Sequence, residues 1–294
     1  MGRLRRPRPR WTLGGWCPWR LRGLRSSWLK EAEERLLRVI ESKGSLLVAL
    51  SGGVDSSVVA AAAFKALKGR CAAVTFNSPL HPPWEVEEAR RVAEHIGVKH
   101  VVLDLNELEL PSVAGNQRDR CYACKRLRFT LALKLAEELG LKYVADGTNV
   151  DDFSEHRPGL KALKELGIAS PLIEAGLGRK EVRGLAMRWG LPSAYRPSSA
   201  CLATRFPYGR TLTLEALRKV AEAERVVVEV VGARGHVRVR DHGDLARIEV
   251  DQGLVEILAR PKVALKVVSE LKKLGYRFVA LDLEGYRPGS FDQV

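Results

Sequence analysis

The stretch "LLVALSGGVDSSVVAAAAF", residues 46–64, constrains the fold more tightly than any other part of the chain. It begins with apolar residues in an unbroken run, as in a strand buried on both faces. The run breaks at Ser51, Gly52 and Gly53, and a helical pattern begins near Asp55. Two glycines let the backbone turn sharply and present its N–H groups, and a helix N-terminus adds partial positive charge. Ser51, Ser56 and Ser57 add hydroxyl donors. Such a strand–glycine–helix junction suits phosphate oxygens. Asp55 suits a helix cap, or a carboxylate holding Mg2+ between phosphates, better than a direct phosphate contact. The loop lacks the lysine of a Walker A motif and does not match G-x-G-x-x-G.

The flanking sequence extends the pattern. "LKEAEERLLRVIES" has helical spacing from Leu29. "CAAVTFNS", "KHVVLDL" and "KYVADGTN" predict further strands, and "PPWEVEEARRVAEHIG", "RLRFTLALKLAEELG" and "RKEVRGLAMRWG" predict helices. Strands alternating with helices imply an α/β fold with a parallel sheet covered on both faces, whose ligands bind beyond the carboxyl ends of the strands. Three strand ends carry polar residues, at 51–57, 77–78 and 146–149. After about Pro197 the pattern changes. "TLTLEALRKVAEAERVVVEV" predicts a helix running into a strand, "HVRVR" and "ARIEV" an antiparallel pair, "PKVALKVVSELKKLG" a helix and "YRFVALDLE" a last strand. A chain of 294 residues accommodates two domains. The expected division is a nucleotide-binding domain over 29–196 and a smaller α+β domain over 197–294.

The net charge of +14 is unevenly placed, because residues 1–28 hold eight arginines and no acid and the rest of the chain carries +6. The basic excess is therefore mainly an N-terminal tail, expected to be unstructured, although Trp11, Trp16, Trp19 and Trp28 are unusual there. A nucleic-acid partner is not indicated, since the C-terminal part has no dense basic–aromatic surface. No apolar run is long enough for a membrane span. Five cysteines at irregular spacing point to a reducing, cytoplasmic setting.

Two of those cysteines, Cys121 and Cys124, share one turn in "RDRCYACKRLRF". C-x-x-C places two thiols within reach of one soft metal or cluster. Arg118, Arg120, Lys125 and Arg126 would favour thiolates and offset a cluster's negative charge. A structural zinc completed by His81 or His156, a disulfide and a redox dithiol are the alternatives at this stage. Cys71 opens a predicted core strand and reads as an inert buried thiol.

"SGGVDSS" resembles the signature of the PP-loop ATP pyrophosphatases, which cleave ATP between the α- and β-phosphates and pass AMP to a substrate. With "RCYACK", "DGTNVDD", "PLIEAGLGRKEVR", "PSSACLATRFPYG" and "RVRDHGDLARIEV" in this order, residues 29–250 resemble the LarE family of ATP-dependent sulfur transferases. That resemblance implies conversion of the carboxylates of a pyridinium biscarboxylate mononucleotide to thiocarboxylates, in the making of the nickel-pincer nucleotide cofactor. It implies ATP with Mg2+, a sulfide or other sulfur donor, and a homo-oligomer, with hexamers known in the family. It makes Cys201 the sulfur-bearing position. In one branch that cysteine gives up its own sulfur; in another, three cysteines hold a [4Fe-4S] cluster that passes on an added sulfide. Cys121, Cys124 and Cys201 match the second branch.

The expected ATP contacts are Ala49, Ser51, Gly52, Gly53, Val54, Asp55, Ser56 and Ser57 in the loop, Asn77 and Ser78, and Gly147, Thr148 and Asn149, with Lys180 as a nearby cation. Asp55, Cys201 and Arg205 are the expected catalytic residues. Arg205, Arg238, Arg240, Arg247 and Glu249 are the expected substrate contacts, because paired arginines grip phosphate or carboxylate bidentately; a solvated, charged sheet face is the plainer alternative for the last four. A tRNA thiolase of the same superfamily and a non-catalytic nucleotide-binding regulator are the rival functions.

Overall fold

Residues 26–154, 158–232, 235–287, 289 and 291 are described by a computed structural model. The expected tail through residue 25, with Cys17 and three of its tryptophans, and the candidate ligand His156 lie outside them. Helix α1 (Ser26–Lys43) starts three residues before the expected Leu29. Trp28 therefore belongs to its first turn, where the Lys180 ammonium stands 5.7 Å from the indole centroid.

The chain continues through β1 (Leu46–Ala49), α2 (Val54–Leu67), β2 (Cys71–Asn77), α3 (Trp84–Ile96), β3 (Lys99–Asp104), α4 (Pro111–Ala114), α5 (Arg120–Glu138) and β4 (Tyr143–Ala145). Then come α6 (Gly159–Glu165), α7 (Pro171–Glu174) and α8 (Arg179–Arg188). The four strands form a parallel sheet of order β3-β2-β1-β4. The unbroken apolar run of β1 is explained by its place in this sheet, where Leu46, Leu47 and Val48 are sealed from solvent on both faces. One face packs against α1, α2, α3 and α8, and the run Ala60–Ala63 lets α2 sit close against the sheet. The other face is covered by α5 and α6 through Phe129, Ala132 and Leu163. Because β2 and β3 lie on one side of β1 and β4 on the other, the strand order reverses beyond β1 and β4. In sheets of this kind ligands bind at such a reversal, beyond the carboxyl ends of the strands.

The remaining elements are α9 (Leu214–Val231), β5 (Val237–Asp241), β6 (Leu245–Val250), α10 (Gln252–Leu258), α11 (Pro261–Lys273) and β7 (Phe278–Leu281). A mixed sheet of order β5-β6-β7 pairs β5 with β6 antiparallel, as the alternation predicts, and β6 with β7 parallel. The expected strand within "ERVVVEV" does not form: α9 continues to Val231. Its β-branched run is helical because Leu217, Val220, Ala223 and Val227 make one buried stripe at three- and four-residue spacing. Leu80 and Val113 pack with Leu202, Phe206, Leu217 and Val220 in a shared apolar cluster. The segment carrying Cys201 is thus seated against the parallel-sheet unit.

Candidate active site

The glycine loop joins β1 to α2 at the reversal of strand order. Gly52 has φ +74°, and a Cβ there would meet the Ala89 backbone nitrogen and Arg196 Nη1, each at 3.1 Å. Side-chain hydroxyls hold the loop in place. Ser57 Oγ donates to the Gly53 carbonyl at 2.6 Å, Ser56 Oγ donates to the same carbonyl at 3.2 Å, and the Ser51 backbone N–H donates to Ser56 Oγ at 3.2 Å. Gly53 is the N-cap of α2 and supplies no side-chain cap, which leaves the helix end suited to an anion. Arg196 spans the far side of the loop, with Nη1 donating to the Gly52 carbonyl at 2.9 Å and Nη2 paired with Glu88.

The loop after β4 closes against this turn. A Cβ on Gly147 would lie 2.7 Å from the Ser56 backbone nitrogen and 3.0 Å from its Cα, so only glycine allows the contact. Gly147→Ala is expected to cost about 1–3 kcal/mol by overpacking and to weaken ATP binding by about 5-fold to 150-fold, an effect of the same size converted to affinity. Thermal unfolding and ATP titration check both. Beyond Gly147, Asn149 Nδ2 donates to Asp55 Oδ1 at 3.3 Å, and the Asn149 backbone N–H donates to Asp152 Oδ2 at 3.1 Å. Burial, then the charge of Asp152, push the Asp55 carboxyl above its ordinary value, although Asn149 and Arg179 oppose the rise. Arg179 pairs with Asp152 at 3.2 Å, and its backbone N–H donates to Asp151 at 2.6 Å. Two carboxylates are therefore gathered beside the helix end. Thr148 bonds to Asp146 rather than facing the loop.

The second polar cluster lies at the start of α5. Cys121, Cys124 and Cys201 are in no disulfide. Burial pushes the Cys124 thiol up to about 12; Arg128 opposes the rise, whereas Glu107, Cys201 and Cys121 add to it. The three thiols thus feel one another's charge, and Cys124 and Cys201 border the same apolar cluster. Among the described residues, no three His, Cys, Asp or Glu side chains converge as ligands of one metal ion. Glu107 is fully buried; it accepts from Arg128 Nε at 2.6 Å and from Ser78 Oγ at 2.6 Å, and Cys124 Sγ approaches it at 3.7 Å. His81 has both nitrogens engaged, Nε2 with Arg128 at 3.1 Å and Nδ1 with Glu85 at 2.8 Å, which removes it as a ready zinc ligand. Burial raises the Glu85 carboxyl, but His81, the 2.7 Å hydrogen bond from Ser199 and the charge of Arg196 together hold it below its ordinary value.

These contacts bring the two clusters together. Arg196 touches the glycine loop, Ser199 is tied to Glu85, and Cys201 follows two residues later. Five residues of chain reach at most about 18 Å. On the α5 side, Lys125 stands 3.6 Å from Asp146 at the end of β4.

Residues 30–119 match the asparagine synthase family. An uncharacterised protein of Synechocystis is 37% identical over 90% of this chain and 98% of its own length. An uncharacterised protein of Methanocaldococcus jannaschii is 31% identical over 82% and 90%. The pyridinium-3,5-bisthiocarboxylic acid mononucleotide synthase of Lactiplantibacillus plantarum, a LarE protein, is 34% identical over 88% of this chain and 93% of its own length. The chain belongs to the LarE family.

Within that LarE framework several expected contacts are engaged elsewhere. Asn77 turns to Asp104 at 2.6 Å, Ser78 is buried on Glu107, and Lys180 stands over Trp28. Arg205 is 1% exposed, and its guanidinium is committed: Nε and Nη2 grip Glu224 at 2.8 and 3.1 Å, and Nη1 donates to the Ala200 and Cys201 carbonyls at 2.9 and 3.2 Å. Through these two carbonyls it holds the Cys201 segment. Glu249 is fully buried between Arg240 at 2.7 Å and Arg247 at 2.9 Å. Arg238 and Arg240 donate to the Ser198 and Thr204 carbonyls at 2.8 and 2.7 Å. The charged face of the small sheet therefore holds both ends of the Cys201 segment.

Truncating Arg205 to Met would strand Glu224 in a buried position. A loss of about 3–5 kcal/mol is expected, measurable by urea unfolding. The residues missed in the sequence are Asp152, Arg196, Glu107, Arg128 and Glu224. The doubled acid of "DGTNVDD" and the arginine before "PSSAC" were the available signals for the first two. The other three lie within helical or turn sequence and carry no local signal.

Proposed function

We propose that the chain is an ATP-dependent sulfur transferase that adenylates the carboxylates of a pyridinium biscarboxylate mononucleotide and converts them to thiocarboxylates for the nickel-pincer nucleotide cofactor. The observation that carries this is the 196–201 segment, which touches the glycine loop at Arg196 and carries Cys201 to the apolar cluster that Cys124 also borders. The similarity to the mononucleotide synthase supports the substrate class. We place the ATP-binding unit over 29–196 and the sulfur-transfer unit over 197–294.

A carboxylate is a poor electrophile, and its mixed anhydride with AMP has a good leaving group. In this scheme the α2 N-terminus and the loop N–H groups hold the departing pyrophosphate. Asp55 and Asp152 would hold Mg2+, and the fit is good because a dication relieves the burial and mutual repulsion that raise Asp55. Sulfur then attacks the carbonyl carbon, and AMP leaves. The donor set of Cys121, Cys124 and Cys201, with Arg120, Arg128 and Arg205 within charge range of Cys201, suits a [4Fe-4S] cluster in its chemistry. Such a cluster, when bound, supplies an iron with an exchangeable sulfide. Cys201 sits at the edge of a short 3-10 turn (Leu202–Arg205), and Cys121 and Cys124 lie in the first turns of α5.

The test supplies ATP, Mg2+, sulfide and the pyridinium biscarboxylate mononucleotide to anaerobically purified protein. AMP, pyrophosphate and thiocarboxylate should appear together, with the iron and sulfide content assayed in parallel. AMP formation that ignores the pyridinium acid and follows added tRNA would turn the assignment to the tRNA thiolase. Absence of AMP with every acid would leave a nucleotide-binding regulator.

A further inference from the structure

Arg120, Arg128 and Arg205 sit within charge range of Cys201, and they differ in what remains open on them. Arg205 is taken up by Glu224 and two carbonyls. Arg128 is taken up by Glu107, His81 and Ser78. Arg120 is different. It is 6% exposed, its Nη1 makes a 3.3 Å bond to the Gln117 carbonyl, and its Nε–H has no hydrogen-bond partner among the described residues. The guanidinium carbon stands 4.4 Å from the Tyr208 ring centroid, and a side-chain hydrogen bond links Arg120 to Tyr208, yet Nε stays without a partner among the described residues. Asn116 ties this region to the chain after Cys201 by donating to the Phe206 and Pro207 carbonyls at 3.1 and 2.8 Å. The basic neighbours on α5 point elsewhere, Lys125 to Asp146 and Arg126 to the exposed Tyr122 hydroxyl.

A buried guanidinium with an open donor is costly unless something arrives to use it. We propose that Arg120 forms a small-anion subsite beside the cysteines, and that its open Nε–H receives the hydrosulfide ion that supplies the transferred sulfur. Burial argues for a small free anion over a persulfide carried on another protein, which would need an open approach to the guanidinium. The charges of Cys201 and Cys121 oppose the burial penalty on Arg120, consistent with an orientation toward them. The hydrosulfide assignment rests on the proposed sulfur transfer; the anion subsite does not.

Two measurements separate these. Crystals of the full chain soaked in bromide, a monoanion probe, should show an anomalous peak within contact of Arg120 that disappears in Arg120→Met. In steady-state transfer by the holoprotein, Arg120→Met should raise the KM for hydrosulfide about tenfold or more, as loss of a charge-assisted hydrogen bond implies. AMP formation should be unchanged, and the KM is compared at matched iron content, because Arg120 also offsets the charge of the proposed cluster. Arg120→Lys should fall between the two, and it stands in if the methionine variant does not fold. No bromide at Arg120 in the wild type, bromide persisting in the variant, or an unchanged KM would overturn the subsite. Bromide bound at Arg120 in a protein that transfers no sulfur from hydrosulfide would keep the subsite and discard the sulfur-transfer reading. Transfer from a protein persulfide with no response to hydrosulfide would overturn the choice of a free anion.

Discussion

Asp55→Asn is expected to abolish ATP cleavage and to make the ligand-free protein more stable. The carboxyl is raised by burial and by Asp152 in the folded state. Below the ordinary carboxylate range it is protonated both folded and unfolded, and it costs nothing. As pH rises from that range through the raised folded value, the unfolded chain ionises first and stability falls; above the folded value the loss is constant. Asparagine removes this penalty and can still accept from Asn149. The melting-temperature advantage of the variant should therefore vanish near about pH 3 and reach a plateau at neutral pH. Mg2+ should stabilise the wild type more than the variant, because the dication offsets the same repulsion. AMP formation should drop at least about a hundredfold, the scale on which single groups at a developing charge are felt. Equal melting temperatures at pH 7, or normal AMP formation, would remove Asp55 from this role.

The same residue shows why the sequence was informative about the loop and less so about its surroundings. A strand, two glycines and a helix start are local features, and backbone geometry follows from them within ten residues. The parallel sheet was legible for a similar reason: β1, β2 and β3 are apolar runs flanked by helical periodicity, and α/β connectivity leaves few ways to assemble them. Which strand end faces the ATP site was not legible at Ser78, because its partner Glu107 is 29 residues away in sequence. Arg205 looked like a catalytic cation because it lies near Cys201. Its partner Glu224 occupies the buried stripe of α9, in a stretch whose valines suggested a strand. Once α9 is read as a helix, a buried glutamate on its inner face requires a cation, and Arg205 provides it. The arginines of β5 and β6 were recognised as a shared face. Arg238, Arg240 and Glu249 are buried, so this face is not the solvated charged surface that was the plainer alternative.

The largest expected effect on sulfur transfer comes from the cysteines. Cys201→Ala should end transfer entirely while AMP formation continues, because the ATP site does not use that thiol. Under the proposed cluster, Cys121→Ala and Cys124→Ala should each lower the iron content and stop repeated turnover. A protein lacking both that still turns over many times would leave Cys201 as a lone sulfur carrier. The iron-free protein gives an independent measurement. A Cys124 thiol held near about 12 carries about a thousandfold less thiolate at pH 8 than a thiol at 9.0. Alkylation at pH 8 should therefore leave Cys124 nearly unlabelled, and iron binding, which displaces the proton, should release about one proton from this position. Rapid labelling of Cys124 in the folded, iron-free protein would contradict the raised thiol. Proton release without loss of labelling at Cys201 would show metal bound to the α5 pair alone, and the three-cysteine arrangement would fall even though iron was present.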